Sequence, residues 1–157
     1  MLTVGVISDT HGLVRPEALL ALRGSAHILH AGDIGNALVL EALRALAPLT
    51  AVRGNNDRGP WAQAIPHDAV VELGGASIYL LHDRAELELD PRAGGMAAVV
   101  CGHSHRPLQE ERDGVLHFNP GSAGPRRFTL PITVGRFHIE GGRIRSEIIP
   151  LSESRSG

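Results

Sequence analysis

The feature that most constrains this chain is a series of short apolar runs, each four to six residues long and each stopped by a cluster of Gly, Asp, Asn or His. Residues 3–7 run into Ser8-Asp9-Thr10-His11-Gly12, residues 26–29 into His30-Ala31-Gly32-Asp33, and residues 49–52 into Arg53-Gly54-Asn55-Asn56-Asp57. Further on, residues 76–81 meet His82-Asp83, residues 97–101 meet Gly102-His103-Ser104-His105, and residues 115–118 meet Asn119-Pro120-Gly121-Ser122. Runs this short, β-branched and continuously apolar suit strands buried on both faces.

Helical periodicity separates the early runs. Residues 15–22 place Ala18, Leu19 and Leu22 on one face, with Pro16 in the first turn where its missing N–H costs nothing. Asn36 can cap a second helix, in which Leu38, Leu40, Ala42, Leu43 and Leu46 give a wide apolar face before Pro48 stops it. Strand–helix–strand–helix–strand implies right-handed crossovers and a mainly parallel sheet at the N-terminal end. After Gly102 the helical signal fades, and residues 108–112, 115–118, 131–139 and 143–150 read as strands with turns at Asp113-Gly114 and Gly141-Gly142. The expected architecture is α/β, two packed sheets flanked by helices. No repeat, linker or composition shift interrupts it, so residues 1–157 read as one domain with a frayed polar tail at 152–157.

Composition removes several function classes. With 43% hydrophobic and 20% charged residues the chain is ordinary globular material, and a net charge of −2 gives nucleic acid or acidic membrane no electrostatic purchase. Aromatics at 3% leave no stacking platform for single strands. Cys101 is the only cysteine, so no internal disulfide forms. The N-terminus lacks a basic region and meets Asp9 too early for a signal peptide, and no apolar run approaches the roughly 20 residues of a membrane helix. A cytoplasmic protein is expected.

The polar clusters all follow the carboxyl ends of strands, where open α/β sheets bind ligands. Parallel neighbours would bring Asp9, His11, Asp33, Asn55, His82, His103 and His105 to one rim. Such a mixed oxygen and nitrogen set suits Mn, Fe, Co, Ni or Zn better than Ca or Mg alone. It is too large for one tetrahedral site and right for two sites sharing a carboxylate. Two ions roughly 3.5–4 Å apart can hold a hydroxide between them and neutralise an in-line phosphoryl displacement. Singly, each cluster has a plainer reading: Asp9 a cap, Gly54 to Asp57 a turn, His82 a satisfied strand-end histidine. Five plain readings at one edge of one sheet are a poorer account than one metal centre. His27, His67, His117 and His138 are expected to be structural or exposed away from the rim, and His30 to donate to a ligand carboxylate from behind it. Tyr79 points to the opposite sheet face from His82, which argues against a tyrosinate-ligated iron, and Cys101 reads as packing.

With those residues assembled, the sequence resembles the calcineurin-like metallophosphoesterase superfamily, and within it the small single-domain phosphodiesterases of bacteria and archaea. The motifs stand in the family's order between residues 8 and 122. The resemblance implies a four-layer α/β/β/α sandwich and two divalent ions, Mn first, with Ni, Co, Zn or Fe as alternatives. It implies that Asp9, His11 and His105 hold one ion, that Asn55, His82 and His103 hold the other, and that Asp33 bridges them. Asn119 to Ser122 would turn the chain beneath the site.

Two departures bear on the chemistry. Many relatives carry a His after the metal-binding Asn; here Asn56 stands there, and an amide can donate a hydrogen bond to a phosphoryl oxygen but no proton near neutral pH. Relatives commonly have Gly after the metal-binding His; here Asp83-Arg84 follows, either a solvated pair, the favoured reading, or an arginine fork for phosphate. The leaving-group acid is therefore water or Asp57, which favours substrates that need little protonation. The resemblance implies a phosphodiesterase, with monoesters second, acting on a small-molecule phosphate ester. Loops 58–66, with the sole tryptophan Trp61, and 84–95 would wall the pocket. A non-catalytic scaffold is the alternative, since the retromer subunit of this fold has lost ligands and serves in assembly. A DNA-processing nuclease is a third reading, but such relatives add capping domains and basic surface, and the near-neutral charge of this sequence leads us to expect neither. Both monomer and homo-oligomer remain open at this stage.

Overall fold

The computed structural model describes residues 1–127 and 129–151; the tail at 152–157, expected to fray, lies outside the described residues. In chain order the elements are β1 (Leu2–Ile7), α1 (Pro16–Leu22), β2 (His27–His30), α2 (Ala37–Arg44), β3 (Leu49–Ala51), α3 (Pro60–Gln63), β4 (Asp68–Leu73), β5 (Ala76–Leu81), β6 (Ala98–Val100), β7 (Leu108–Arg112), β8 (Val115–Asn119), β9 (Thr133–Glu140) and β10 (Arg143–Pro150), with a single 3₁₀ turn at Arg84–Glu86. They form two five-stranded sheets, ordered β10-β9-β1-β2-β3 and β4-β5-β6-β8-β7. In each sheet a parallel trio carries antiparallel strands at its margin: β1, β2 and β3 run together in one, β5, β6 and β8 in the other.

Strand alternation divides the apolar residues between layers. Val4, Val6 and Leu29 from the first sheet meet Ile78, Leu80, Val100 and Phe118 from the second in the core between the sheets, where Phe118 and Phe137 stack edge-to-face with centroids 4.7 Å apart. Ile7 and Ile28 face the other way, into Ala18 and Leu22 of α1 and Val39, Leu40 and Leu43 of α2. The Asn36 side chain accepts from the Val39 N–H at 3.3 Å, as expected of a cap. The wide apolar face expected on α2 is narrower than its sequence indicates: Leu38 is 67% exposed, and Val39 takes its place in the core.

On the outer face of the second sheet, Tyr79, Leu81, Val99, Cys101 and Val115 are covered by Leu87, Leu89 and Met96. The fourth layer of the sandwich is thus the loop after the 3₁₀ turn. Cys101 is buried there, as expected of packing. The strand missing from the sequence reading is β4, whose exposure alternates along Asp68–Leu73 as befits an edge strand wet on one face. The expected turns are present, with positive φ at Asp113 (52°) and Gly114 (78°), and at Gly141 (57°) and Gly142 (78°), the signature of type I′ hairpins. No helix among the described residues is long and apolar enough to cross a membrane.

Candidate metal centre

The two parallel trios point their carboxyl ends to the same edge of the sandwich, and the polar clusters gather there. The backbone bends sharply to deliver them. Among the described residues six non-glycines have positive φ, and five of these are Asp9 (55°), His11 (47°), Asp33 (55°), His103 (71°) and His105 (62°). L-residues reach this region at a cost of order 1 kcal/mol each. Concentration of that cost on five candidate ligands marks where the fold aims side chains against local preference.

The donor atoms converge. Asp9 Oδ1 lies 3.9 Å from His11 Nε2, 3.9 Å from His82 Nε2 and 3.4 Å from His105 Nε2. Asp33 Oδ2 lies 3.7 Å from His11 Nε2 and 3.3 Å from His82 Nε2. Nε2 of His11 and Nε2 of His105 are 3.4 Å apart, as are His103 Nδ1 and His82 Nε2. Two donors about 2.1 Å from a common ion stand roughly 3.0–3.4 Å apart at octahedral to tetrahedral angles; the His105–Asp9, His82–Asp33, His11–His105 and His82–His103 pairs fall in that window, and the pairs at 3.7 and 3.9 Å are wider. Two triplets bring all their donor atoms within 4.8 Å of one another: Asp9 with His11 and His105, and Asp9 with Asp33 and His82. Asp9 is common to both, and Asp33 reaches a histidine of each. Asn55 stands at the exposed lip of the cavity that His82 and His103 also line.

The decisive atom is Asp9 Oδ1. Asp9 is wholly buried; its Oδ2 accepts from Ser8 Oγ at 2.7 Å and from the His103 N–H at 3.1 Å, but Oδ1 has no hydrogen-bond partner. A buried acceptor ringed by imidazole nitrogens and left unpaired is costly unless a cation completes it. The residues present therefore fit divalent ions.

Electrostatics follow from this crowding. Burial pushes the Asp9 carboxyl up from its ordinary range. Burial pushes Asp33 up as well, but hydrogen bonds from His82 and from the Asn56 N–H outweigh it and hold Asp33 well below the usual carboxylate range. Burial pulls His82 down, yet its hydrogen bond to Asp33 and the charges of Asp9 and Asp33 raise it overall, whereas burial dominates at His105 and lowers it.

A second ring of contacts holds the donors. His82 Nδ1 donates to the Ala31 carbonyl at 2.8 Å, which fixes the tautomer and turns Nε2 toward the aspartates. Asn56 donates its side-chain amide to Asp33 Oδ2 and its backbone N–H to Asp33 Oδ1, both at 3.0 Å. Asn56 is thereby engaged in holding Asp33 through its backbone N–H and one of its two side-chain amide donors. Asp57 is similarly occupied: Oδ2 accepts from the Ile34 and Gly54 N–H groups and Oδ1 from Gly35, tying the loop after β3 to the loop after β2. That is the geometry of a clamp and not of a proton donor. Asn119 donates to the Gly102 carbonyl at 3.0 Å and Ser122 to the Asp9 carbonyl at 3.1 Å, so the Asn-Pro-Gly-Ser turn braces the site from beneath.

His30 departs from expectation. It touches no ligand carboxylate; Nδ1 accepts from the Gly32 N–H at 3.0 Å and Nε2 meets Thr10 Oγ1 at 3.0 Å, while Thr10 donates to the Ile34 carbonyl. Complete burial pushes its pKa down to about 3, so it is a neutral brace between the first two loops.

In front of the donors is a cavity of ≈ 490 Å³ lined by Asn55, His82 and His103 together with Arg53, Arg58 and His67. Arg58 and Glu86 come from the loops expected to wall it, but Trp61 packs into the helix-side core. His67, expected away from the rim, is at this mouth, with Nε2 3.0 Å from Glu86 Oε2. Its signal was hidden because it enters ahead of β4, the unrecognised strand. Arg84 does not pair with Asp83: its Nη1 lies 3.6 Å from Glu110 Oε2, while Asp83 accepts from the Ala85 N–H at 3.0 Å. Arg84 lines a neighbouring cavity that shares His103.

A family model described as the calcineurin-like phosphoesterase superfamily domain matches residues 2–142. The chain belongs to the calcineurin-like phosphoesterase superfamily. A probable metallophosphoesterase of Methanothermobacter thermautotrophicus is 34% identical over 158 residues, covering 93% of this chain and 91% of that relative. A solved archaeal phosphodiesterase superposes with a TM-score of 0.78 at 26% identity, covering 94% of this chain and 100% of that one. Vps29 of Chaetomium thermophilum superposes with a TM-score of 0.77 at 19% identity over 96% of this chain and 97% of its own, a likeness of fold. Calcineurin-like phosphoesterases are metal-dependent phosphoester hydrolases, and this member carries candidate metal-binding residues.

Proposed function

We propose that this chain is a phosphodiesterase working with two divalent ions, manganese first among the candidates. The observation that carries the reading is the buried, unpartnered Oδ1 of Asp9 among Nε2 atoms of His11, His82 and His105. In this reading Asp9, His11 and His105 hold one ion, Asn55, His82 and His103 the other, and Asp33 lies between; the reach of Asp33 Oδ2 to both His11 and His82 supports the last assignment. Divalent ions in such a set supply a hydroxide nucleophile near neutral pH and neutralise the charge of an in-line displacement at phosphorus.

The protein's own groups shape the rest. Asn56 and Asp57 are committed to Asp33 and to backbone amides, and Arg84 to Glu110, so none of these three is set to protonate a leaving group. The departing oxygen takes its proton from water, which favours esters of acidic alcohols and phenols and leans the preference to diesters over monoesters.

Hydrolysis of bis(p-nitrophenyl) phosphate in Mn, Ni, Co, Zn and Mg, by wild type and by Asp33→Ala and His103→Ala proteins, tests the reading. A loss of at least about a hundredfold in each variant is expected. Full metal-dependent hydrolysis by both variants would overturn it, and absence of stoichiometric metal after purification without chelator would favour an assembly role.

A further inference from the structure

Six charged or ionisable side chains line the mouth of the ≈ 490 Å³ cavity: Arg53, Asp57, Arg58, His67, Asp83 and Glu86. The carboxylates among them are all engaged. Asp57 accepts three backbone N–H groups, Asp83 accepts the Ala85 N–H and lies 3.9 Å from His103, and Glu86 is 3.0 Å from His67. Neither Arg53 nor Arg58 belongs to an ion pair among the described residues, a state they share with Arg23, Arg44 and Arg92, and what sets these two apart is that both line this cavity. Arg53 is half-buried between Val52 and Gly54, its backbone N–H fixed on the Pro66 carbonyl at 2.8 Å, and Arg58 is exposed beyond the Asp57 clamp. The result is a cavity lined both by candidate metal donors and by two arginines that have no ion-pair partner of their own. Its volume exceeds what a lone phosphate requires and suits a small organic ligand.

We propose that Arg53 and Arg58 form a seat for a second anionic group of the substrate, a phosphate or carboxylate carried on the ester arm that remains beside the scissile phosphorus. The inference rests on the phosphodiesterase reading and specifies its substrate class. Guanidinium forks recognise both oxyanions in bidentate geometry, and pairing there would satisfy charges that the protein leaves open. With divalent ions bound at the donors, a dianionic substrate would also be drawn in, in a manner weakened by salt.

The test uses metal-loaded full-length protein and three p-nitrophenyl phosphodiesters that share the leaving group and differ in the other arm: ethyl, 2-carboxyethyl and 2-phosphoethyl. Wild type is expected to show kcat/KM about tenfold or more higher for an anionic arm, with the larger of the two gains naming the group. Arg53→Gln/Arg58→Gln should lose that preference while hydrolysing the ethyl ester within about threefold of wild type, and Arg53→Lys/Arg58→Lys should retain part of it. Arg58→Gln alone, at an exposed position, serves if the double variant does not fold. Equal kcat/KM for all three arms in wild type, or equal losses on all three in the variants, would overturn the seat. Equilibrium binding of the matching non-hydrolysable phosphonates separates the two ideas. An arginine-dependent preference in binding without any hydrolysis keeps the seat and refutes the phosphodiesterase; hydrolysis without preference does the reverse.

Discussion

Asn56 holds Asp33 at both oxygens, with the backbone N–H on Oδ1 and the side-chain amide on Oδ2, each at 3.0 Å. The residue that follows the candidate ligand Asn55 thus orients a carboxylate from the neighbouring loop.

Removing that grip should weaken metal binding before it affects folding. Asn56→Ala is expected to lower the affinity for manganese by about 10–100-fold, as loss of a partner behind a metal ligand commonly does. Titration of metal-free protein by calorimetry reads the change. An unchanged affinity would show that Asn56 is dispensable to Asp33.

Asp57 makes the opposite kind of contribution. Its carboxylate satisfies the N–H groups of Ile34, Gly35 and Gly54. Asp57→Ala orphans buried donors and should cost about 3 kcal/mol, read as a drop in the denaturant midpoint at unchanged slope. Asp57→Asn keeps an acceptor and should lose less than half as much. A proton-donor role would instead leave stability intact and flatten the alkaline side of the rate profile.

Metal should stabilise the fold by mass action. Manganese at about 1,000 times its Kd contributes about 4 kcal/mol, a rise in Tm on the order of 10 °C for a domain of this size. Chelation should reverse the shift. In His82→Ala, which removes a donor 3.3 Å from Asp33, most of it should vanish. Differential scanning calorimetry of both proteins decides.

Tyr79 is the only tyrosine, so its ionisation can be followed alone by absorbance near 295 nm. Burial, the hydrogen bond to Asp68 and the charges of Asp68 and Glu88 push its pKa up to about 12 from 10.0. The folded state therefore holds the proton more tightly than the unfolded one. The stability this confers is present below pH about 10 and is lost as pH rises through about 12. The expected signal is a phenolate transition near 12; one near 10 in folded protein would contradict the Asp68 contact.

Gly54 should tolerate no side chain. A Cβ there would meet the backbone nitrogen and Oδ1 of Asp33 at 2.2 Å each. Gly54→Ala must displace Asp33, so metal stoichiometry in the purified variant is expected to fall below wild type even if the protein folds. Full metal content would show that the loop can relax.

The order of apolar runs and the polar cluster ending each one determined the first parallel trio and pointed to the edge where Asp9, His11, Asp33, His82 and His105 gather. That information is local, because a strand's burial and its stop signal lie in adjacent residues. β4 escaped because an edge strand wet on one face lacks a continuous apolar run, and His67 was misplaced with it. Only the tertiary structure decided that Asn56 faces Asp33, that Asp57 clamps two loops, that His30 braces Thr10 and Gly32, and that Arg53 and Arg58 remain unpaired at the cavity mouth. Each depends on where a side chain's hydrogen-bonding partner lies once separate loops meet in space, and neither residue type nor spacing carries that geometry.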